Sequence, residues 1–357
     1  MRRTMLGFAL AAFAAIPALA AAQELTAGMK KGDADLKSAG PLAFAPQGIL
    51  LVGDREGGAI FAIATEDTDG KPEDAKHNVA GLDEKVAAAL GSAAGDILIN
   101  DMSVNPASGK VYLSVSRGKG PGAAPAIVVL DGSSKISELK LKDVNFSKAA
   151  LPNASSKRAE SITDLAYIDG RVIVAGLSSE EFASNLRSIP FPFKAADGGT
   201  SVEIYHGAHG KFETNAPVRT FALYEVNKQA HVLAAYTCTP LVRFAVSDLK
   251  PGSKVKGTTV AELGNRNRPL DMFVYQSGGK NFLLLANNSR GVMKISTDNI
   301  DRVQGITEKI NDKSGQAYET IASLKGVTEL DRLNKGHAVI IVREGTGPMT
   351  LQTIPLP

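Results

Sequence analysis

Short apolar runs rich in Val, Ile and Leu alternate with polar turns along the whole chain, the pattern of many short strands rather than of helices. One arrangement returns again and again: a strand opening on an acidic residue, a polar turn, then a second apolar strand. The clearest copies are Ile99 to Val104 leading to Val111 to Val115, Ile162 to Tyr167 leading to Val172 to Ala175, and Leu270 to Tyr275 leading to Phe282 to Ala286. Weaker copies begin at Leu42, Phe221 and Val327. The position of the acid is then Pro41, Asp101, Asp164, Thr220, Asp271 and Glu329, six units with a period of roughly 50 to 60 residues.

Units of this length whose faces are buried against their neighbours predict an all-β, six-bladed β-propeller with about four strands per blade. Leu82 to Leu90 carries helical spacing and predicts one short helix between the first two units. The stretch 179–214, with Phe182 and the Ile189-Pro190-Phe191-Pro192-Phe193 segment, reads as one long ordered insertion. Too few strands follow Glu329 to finish the last unit, and Glu24 to Ser38 has no unit of its own. A strand from that segment is therefore expected to complete the C-terminal blade and close the ring.

The blade pattern, above all Asn100-Asp101-Met102-Ser103-Val104-Asn105-Pro106 with Gly109 and Tyr112, resembles that of the NHL-repeat and calcium-dependent lactonase (senescence-marker-protein-like) superfamily. That resemblance is architectural. It implies a six-bladed propeller and a calcium ion in the channel that polarises a substrate oxygen.

Residues 1–22 read as a secretory signal peptide: Arg2 and Arg3, an apolar stretch to Leu19, and small residues around Ala20. The expectation is an exported protein, periplasmic or extracellular, with one propeller domain over 23–357 and no membrane span. The net charge is +3, and Arg2 and Arg3 belong to the expected signal, so the remainder is nearly neutral. No basic surface of the density that nucleic acid requires is present. With one cysteine, Cys238, and no Trp, stability must come from a core rather than from disulfides.

Three places carry candidate chemistry. Asp101, Asp164, Asp271 and Glu329 would border the channel, where they either bond the backbone of a neighbouring blade or hold a metal. Calcium suits them, with Asn100 and Asn287 or Asn288 adding oxygens. Next, His206 and His209 lie three apart in a Gly-rich stretch and Cys238 offers a thiolate. Nitrogen and sulfur suit copper or zinc, and either histidine is a candidate base. On one strand, residues three apart point to opposite faces, so both reach one metal only across a turn. The plain alternative is that one histidine packs and the other is solvated, and that Cys238 is buried and inert. Last, Arg158, Arg219, Arg266, Arg268 and Arg290, with Asn267, Tyr236 and Asn288, are candidates to bind an anionic ligand or to pair with the acids.

The readings that follow are an exported propeller, expected as a monomer, that binds or transforms a small oxygen-rich ligand at the channel mouth by metal-assisted hydrolysis; a non-catalytic propeller that docks an envelope protein; and a copper or quinone redox protein.

Overall fold

The computed structural model describes residues 24–238 and 240–357; the expected signal peptide lies outside the described residues. The chain is an all-β propeller of six blades. The six predicted strands are its innermost strands: Leu42–Ala45, Ile97–Val104, Asp164–Ile168, Val218–Val226, Pro269–Ser277 and Val327–Arg332. They open blades 1 to 6 in chain order.

The second strand of each blade has a neighbour on either side in the sheet and a blade against each face, so its residues form almost unbroken apolar runs. Ile49–Asp54, for example, is buried at every position. Blade 3 uses the stretch 179–214 for its strands Ser184–Pro190 and Thr200–His206 and extends beyond them with Lys211–Glu213. Only the loops between these strands are additional to the blade. The helix spans Leu82–Ala89 and buries Leu82, Val86 and Ala87. No helix among the described residues is long and apolar enough to cross a membrane.

Blade order around the axis does not follow chain order. Six apolar clusters each join two neighbouring blades: Ile49 and Leu51 of blade 1 pack with Leu165 and Val174 of blade 3, Leu50 and Phe61 of blade 1 with Tyr112 and Ile127 of blade 2, and Leu113 of blade 2 with Val339 and Ile341 of blade 6. The remaining clusters join blade 3 to 4, 4 to 5 and 5 to 6. The ring therefore reads 1, 3, 4, 5, 6, 2 and back to 1.

Ring closure corrects the expectation drawn from the sequence. The outer strand of blade 6 is Asn78–Ala80, paired with Thr350 to Gln352, and not a segment from the N-terminus. Strand Lys30–Gly32 instead edges blade 1, on Val144–Ala150, a strand the chain reaches only after finishing blade 2. The physical reason is the transposition: on leaving blade 1 the chain passes the outer edge of blade 6 to reach blade 2, and the passing segment pairs there. Blades 6 and 1 are thus both completed by strands from elsewhere in the chain, which leaves their outer edges covered.

Candidate functional site

Four innermost strands carry a bulge next to the acid position, at Ile99/Asp101, Val218/Thr220, Pro269/Asp271 and Val327/Glu329. A bulge re-aims the side chains around it; three of the four stand beside Asp101, Asp271 and Glu329, the one in blade 4 beside Thr220, and Asp164 lines the same cavity without one. Asp101 Oδ2 accepts the Leu42 N–H of blade 1 at 2.5 Å, and Asp101 also accepts the N–H of Met102 in its own strand. Asp164 repeats the arrangement, with Phe221 of blade 4 at 2.7 Å and its own Leu165 at 2.7 Å. Asp271 does so again, with Leu330 of blade 6 at 2.9 Å and its own Met272 at 2.8 Å.

Three aspartates thereby satisfy one inner-strand N–H in each of the six blades. The blades with Pro41, Thr220 and Glu329 at the acid position are the ones served by a neighbour, which is why Pro and Thr are tolerated there. Thr220 Oγ1 adds a bond to Asp164 Oδ2 at 2.9 Å. Asp331, one turn of the pleat further along blade 6, links it to blade 2 through the Val104 N–H at 2.7 Å.

Glu329 stands apart, because no backbone N–H among the described residues donates to it. It hydrogen-bonds Asp101, and burial together with the charges of Asp101 and Asp271 holds its carboxyl well above the usual range. Burial also pushes Asp101 up to about 7 and Asp164 to about 6, against the pull of the backbone N–H groups. The direction of that shift favours the protonated form of the Glu329 carboxyl.

Above this waist lies a cavity of 470 Å³ lined by Pro41, Arg55, Asn100, Glu160, Arg219, Arg268 and the four acids. A wider cavity of 630 Å³ opens on the opposite side, among Phe44, Tyr167, Phe221 and Phe273, and shares Asp101, Asp164 and Asp271 with the first. The aspartate ring is the partition between the two.

Arg55 is the residue that the sequence reasoning missed. Its Nε donates to the Ile162 carbonyl at 2.9 Å, and it lies within the field of Asp101, Asp164 and Glu329. It sits in the turn after the second strand of blade 1, where blade 4 has Cys238 and blade 5 has Ser289; aligning that turn across all blades would have found it. Arg219 pairs with Glu160 at 3.1 Å and bonds Thr237 Oγ1 at 3.0 Å. Arg268 has an exposed side chain at the cavity rim and pairs with no carboxylate among the described residues.

The other candidates fall elsewhere. Arg158 is exposed, on the short helix Arg158–Ser161, and Arg290 pairs with Asp312 at 3.4 Å; neither lines the cavity. Arg266 is exposed in a left-handed turn. Tyr236 and Asn267 are buried in blade 4 and in the segment entering blade 5. Asn288 Oδ1 accepts the Arg268 N–H at 2.7 Å. His206, His209 and Cys238 come together at the rim between blades 3 and 4, outside the channel.

Asp101, Asp271 and Glu329 present carboxylate oxygens within 4.8 Å of one another, without Asp164. Calcium takes six to eight oxygens, and these residues fit it poorly. Both oxygens of Asp271 already accept backbone N–H groups. The Asn287 and Asn288 side-chain oxygens are used by the turn 288–290 and by Arg268. Arg55 supplies positive charge where the ion would. No step is assigned to calcium.

No family model and no curated protein matches the chain. Solved structures of similar arrangement include a glucose dehydrogenase from Thermus thermophilus, 12% identical with a TM-score of 0.39 over 92% of this chain and 100% of that one. Another is the aldose sugar dehydrogenase of Streptomyces coelicolor in its PQQ-bound form, 11% identical with a TM-score of 0.37 over 91% and 96%. Streptogramin B lyase is 6% identical with a TM-score of 0.39 over 92% and 97%. Likeness at this level transfers neither activity nor ligand to this chain. The resemblance to the NHL-repeat and lactonase superfamily extends no further than the blade pattern.

Proposed function

We propose that this chain is an exported propeller that binds a small, oxygen-rich anion, of the hydroxycarboxylate or sugar-acid class, in the cavity above the aspartate ring. The observation that carries this reading is Glu329, which alone of the four acids at the waist accepts no backbone N–H among the described residues, set under Arg55, Arg219 and Arg268. The guanidinium groups are donors suited to a ligand carboxylate. Glu329 holds its proton ready to donate to a ligand oxygen, the position from which a general acid opens a lactone or an ester. A polar, concave mouth also favours a small ligand over a docked protein. Only Leu98 and Phe212 are large exposed apolar residues among those described, and they form no patch of the kind that marks a protein interface.

Calorimetric titration with aldonates, their lactones and uncharged polyols of the same size tests this reading. The expectation is binding of the acid, weakened at least tenfold in Arg268→Ala and in Glu329→Gln, with no heat from the polyol. Equal binding of acid and polyol, or binding indifferent to both substitutions, contradicts it.

A further inference from the structure

At the rim of blades 3 and 4 the chain gathers its one cysteine and two of its five histidines. Strand Thr200–His206 ends at His206, and the turn that follows is closed by the His209 and Gly210 N–H groups donating to the His206 carbonyl at 3.1 and 2.8 Å. This turn lifts the side chains out of strand alternation and stacks the imidazole of His209 on that of His206, with ring centroids 3.8 Å apart. Gly207 makes the turn possible. Its N–H reaches Oε1 of the buried Glu262 at 2.5 Å, and a Cβ on it would meet that same oxygen at 2.9 Å.

The chain then returns as Lys211–Glu213, which sets Glu213 beside both rings. Oε2 lies 3.0 Å from His206 Nδ1 and Oε1 lies 2.6 Å from His209 Nδ1. A carboxylate oxygen at such a distance from a ring nitrogen is an acceptor. Both Nδ1 atoms must then carry hydrogen, and the lone pair of each ring is left on Nε2. One carboxylate orienting two imidazoles by their Nδ1–H is the outer shell that metal-binding histidines use.

Two further observations point to a ligand. His206 Nε2 is buried and has no hydrogen-bond partner among the described residues, and the His206 side chain is 3% exposed. Cys238, in a left-handed turn with its N–H on the Asn267 carbonyl at 2.8 Å, brings its sulfur within 4.8 Å of a ring nitrogen of each histidine.

We propose that His206, His209 and Cys238 bind one zinc or copper ion, oriented by Glu213. Two imidazole nitrogens and one thiolate are a donor set for these metals and a poor one for calcium or magnesium. Metal–nitrogen and metal–sulfur distances of about 2.0 and 2.3 Å require ligand atoms closer than the present spread, so the turns at 207–210 and at Cys238 draw inward by about 1 Å on binding. His209, at 47% exposure, forms the solvent side of the site. Three protein ligands leave the fourth position open on that side, as catalytic rather than purely structural sites do. This centre stands on residues separate from the channel and does not depend on the anion reading.

The test uses the chain reduced until its one thiol titrates, then dialysed against Zn²⁺ and, anaerobically, against Cu⁺, with Co²⁺ as the optical probe. The expected result is one equivalent of ion, and a thiolate-to-cobalt charge-transfer band that vanishes in Cys238→Ser. His209→Ala, at an exposed position, keeps the wild-type circular dichroism and loses the ion. Glu213→Gln weakens binding by about 10-fold to 100-fold. The zinc and copper arms decide which ion is held more tightly. Binding below one equivalent in both arms overturns the proposal, as does binding that survives Cys238→Ser or His209→Ala.

Discussion

The channel waist and the blade 3/4 rim both use half-buried carboxylates, and they use them in opposite ways. At the waist, Asp101, Asp164 and Asp271 face backbone N–H groups, and their work is to tie the six inner strands together in three neighbouring pairs. At the rim, Glu213 faces two imidazoles, and its effect is to fix which nitrogen of each ring is free. What a carboxylate does is set by the donor it meets, so acidic residues at equivalent places in a repeat are not evidence of a common site. Glu329 shows this within the waist itself: it shares the position of the aspartates but has none of their partners.

The sharpest way to break this contrast is Asp164→Ala. It strands the N–H groups of Leu165 and Phe221 and the Thr220 hydroxyl. At about 1–3 kcal/mol for each buried group left without a partner, a loss of at least about 3 kcal/mol is expected in urea unfolding at pH 7. A loss below about 1 kcal/mol would show that the clamps are incidental.

Next in size is Val79→Ala, in the strand that closes blade 6. Val79 is 3% exposed and packs with Leu82, Val339 and Leu351. Truncating it is expected to cost about 1–2 kcal/mol, whereas Lys31→Ala in the N-terminal strand, whose side chain is 64% exposed, should change stability by less than about 0.5 kcal/mol. The reverse order would restore the N-terminus as the closing strand.

Glu329→Gln sharpens the comparison through its pH dependence. The folded carboxyl titrates above its unfolded value, so the native state holds more protons than the unfolded chain as pH rises past about 4.5, and wild-type stability falls over that range. Gln carries no such penalty. The variant should match the wild type near pH 4 and be the more stable of the two at pH 7. A stability difference that does not change between pH 4 and pH 7 would mean that Glu329 is not held protonated.

The smallest effect belongs to the rim. His209→Ala removes an exposed ring and should alter stability by no more than about 0.5 kcal/mol, while Glu213→Gln, which leaves His206 with a weaker partner, costs somewhat more.

Much of this was legible in the sequence. All six inner strands and the acid position in each could be read because a short apolar strand with an acid at its head survives translation into a blade almost unchanged. Blade order was not legible. Every blade shows similar apolar faces, and nothing in Leu50 or Tyr112 says that blade 2 rather than blade 3 follows blade 1 in one direction around the ring. The closing strand Asn78–Ala80 is three residues long, with no period to detect. His206, His209 and Cys238 could be named as a set because of residue type, but Glu213 carried no signal of its own. Its role appears only when the hairpin 204–213 is folded.

The central claim is that three aspartates clamp the inner strands in pairs and leave Glu329 free for chemistry. Unfolding free energies of Asp164→Asn and Glu329→Gln at pH 7, set against wild type, test it most directly. The expected result is a loss in Asp164→Asn, where one oxygen that accepts an N–H is replaced by a donor, and none, or a gain, in Glu329→Gln. Equal destabilisation of both variants would show that Glu329 is a fourth clamp and that the channel holds no spare acid.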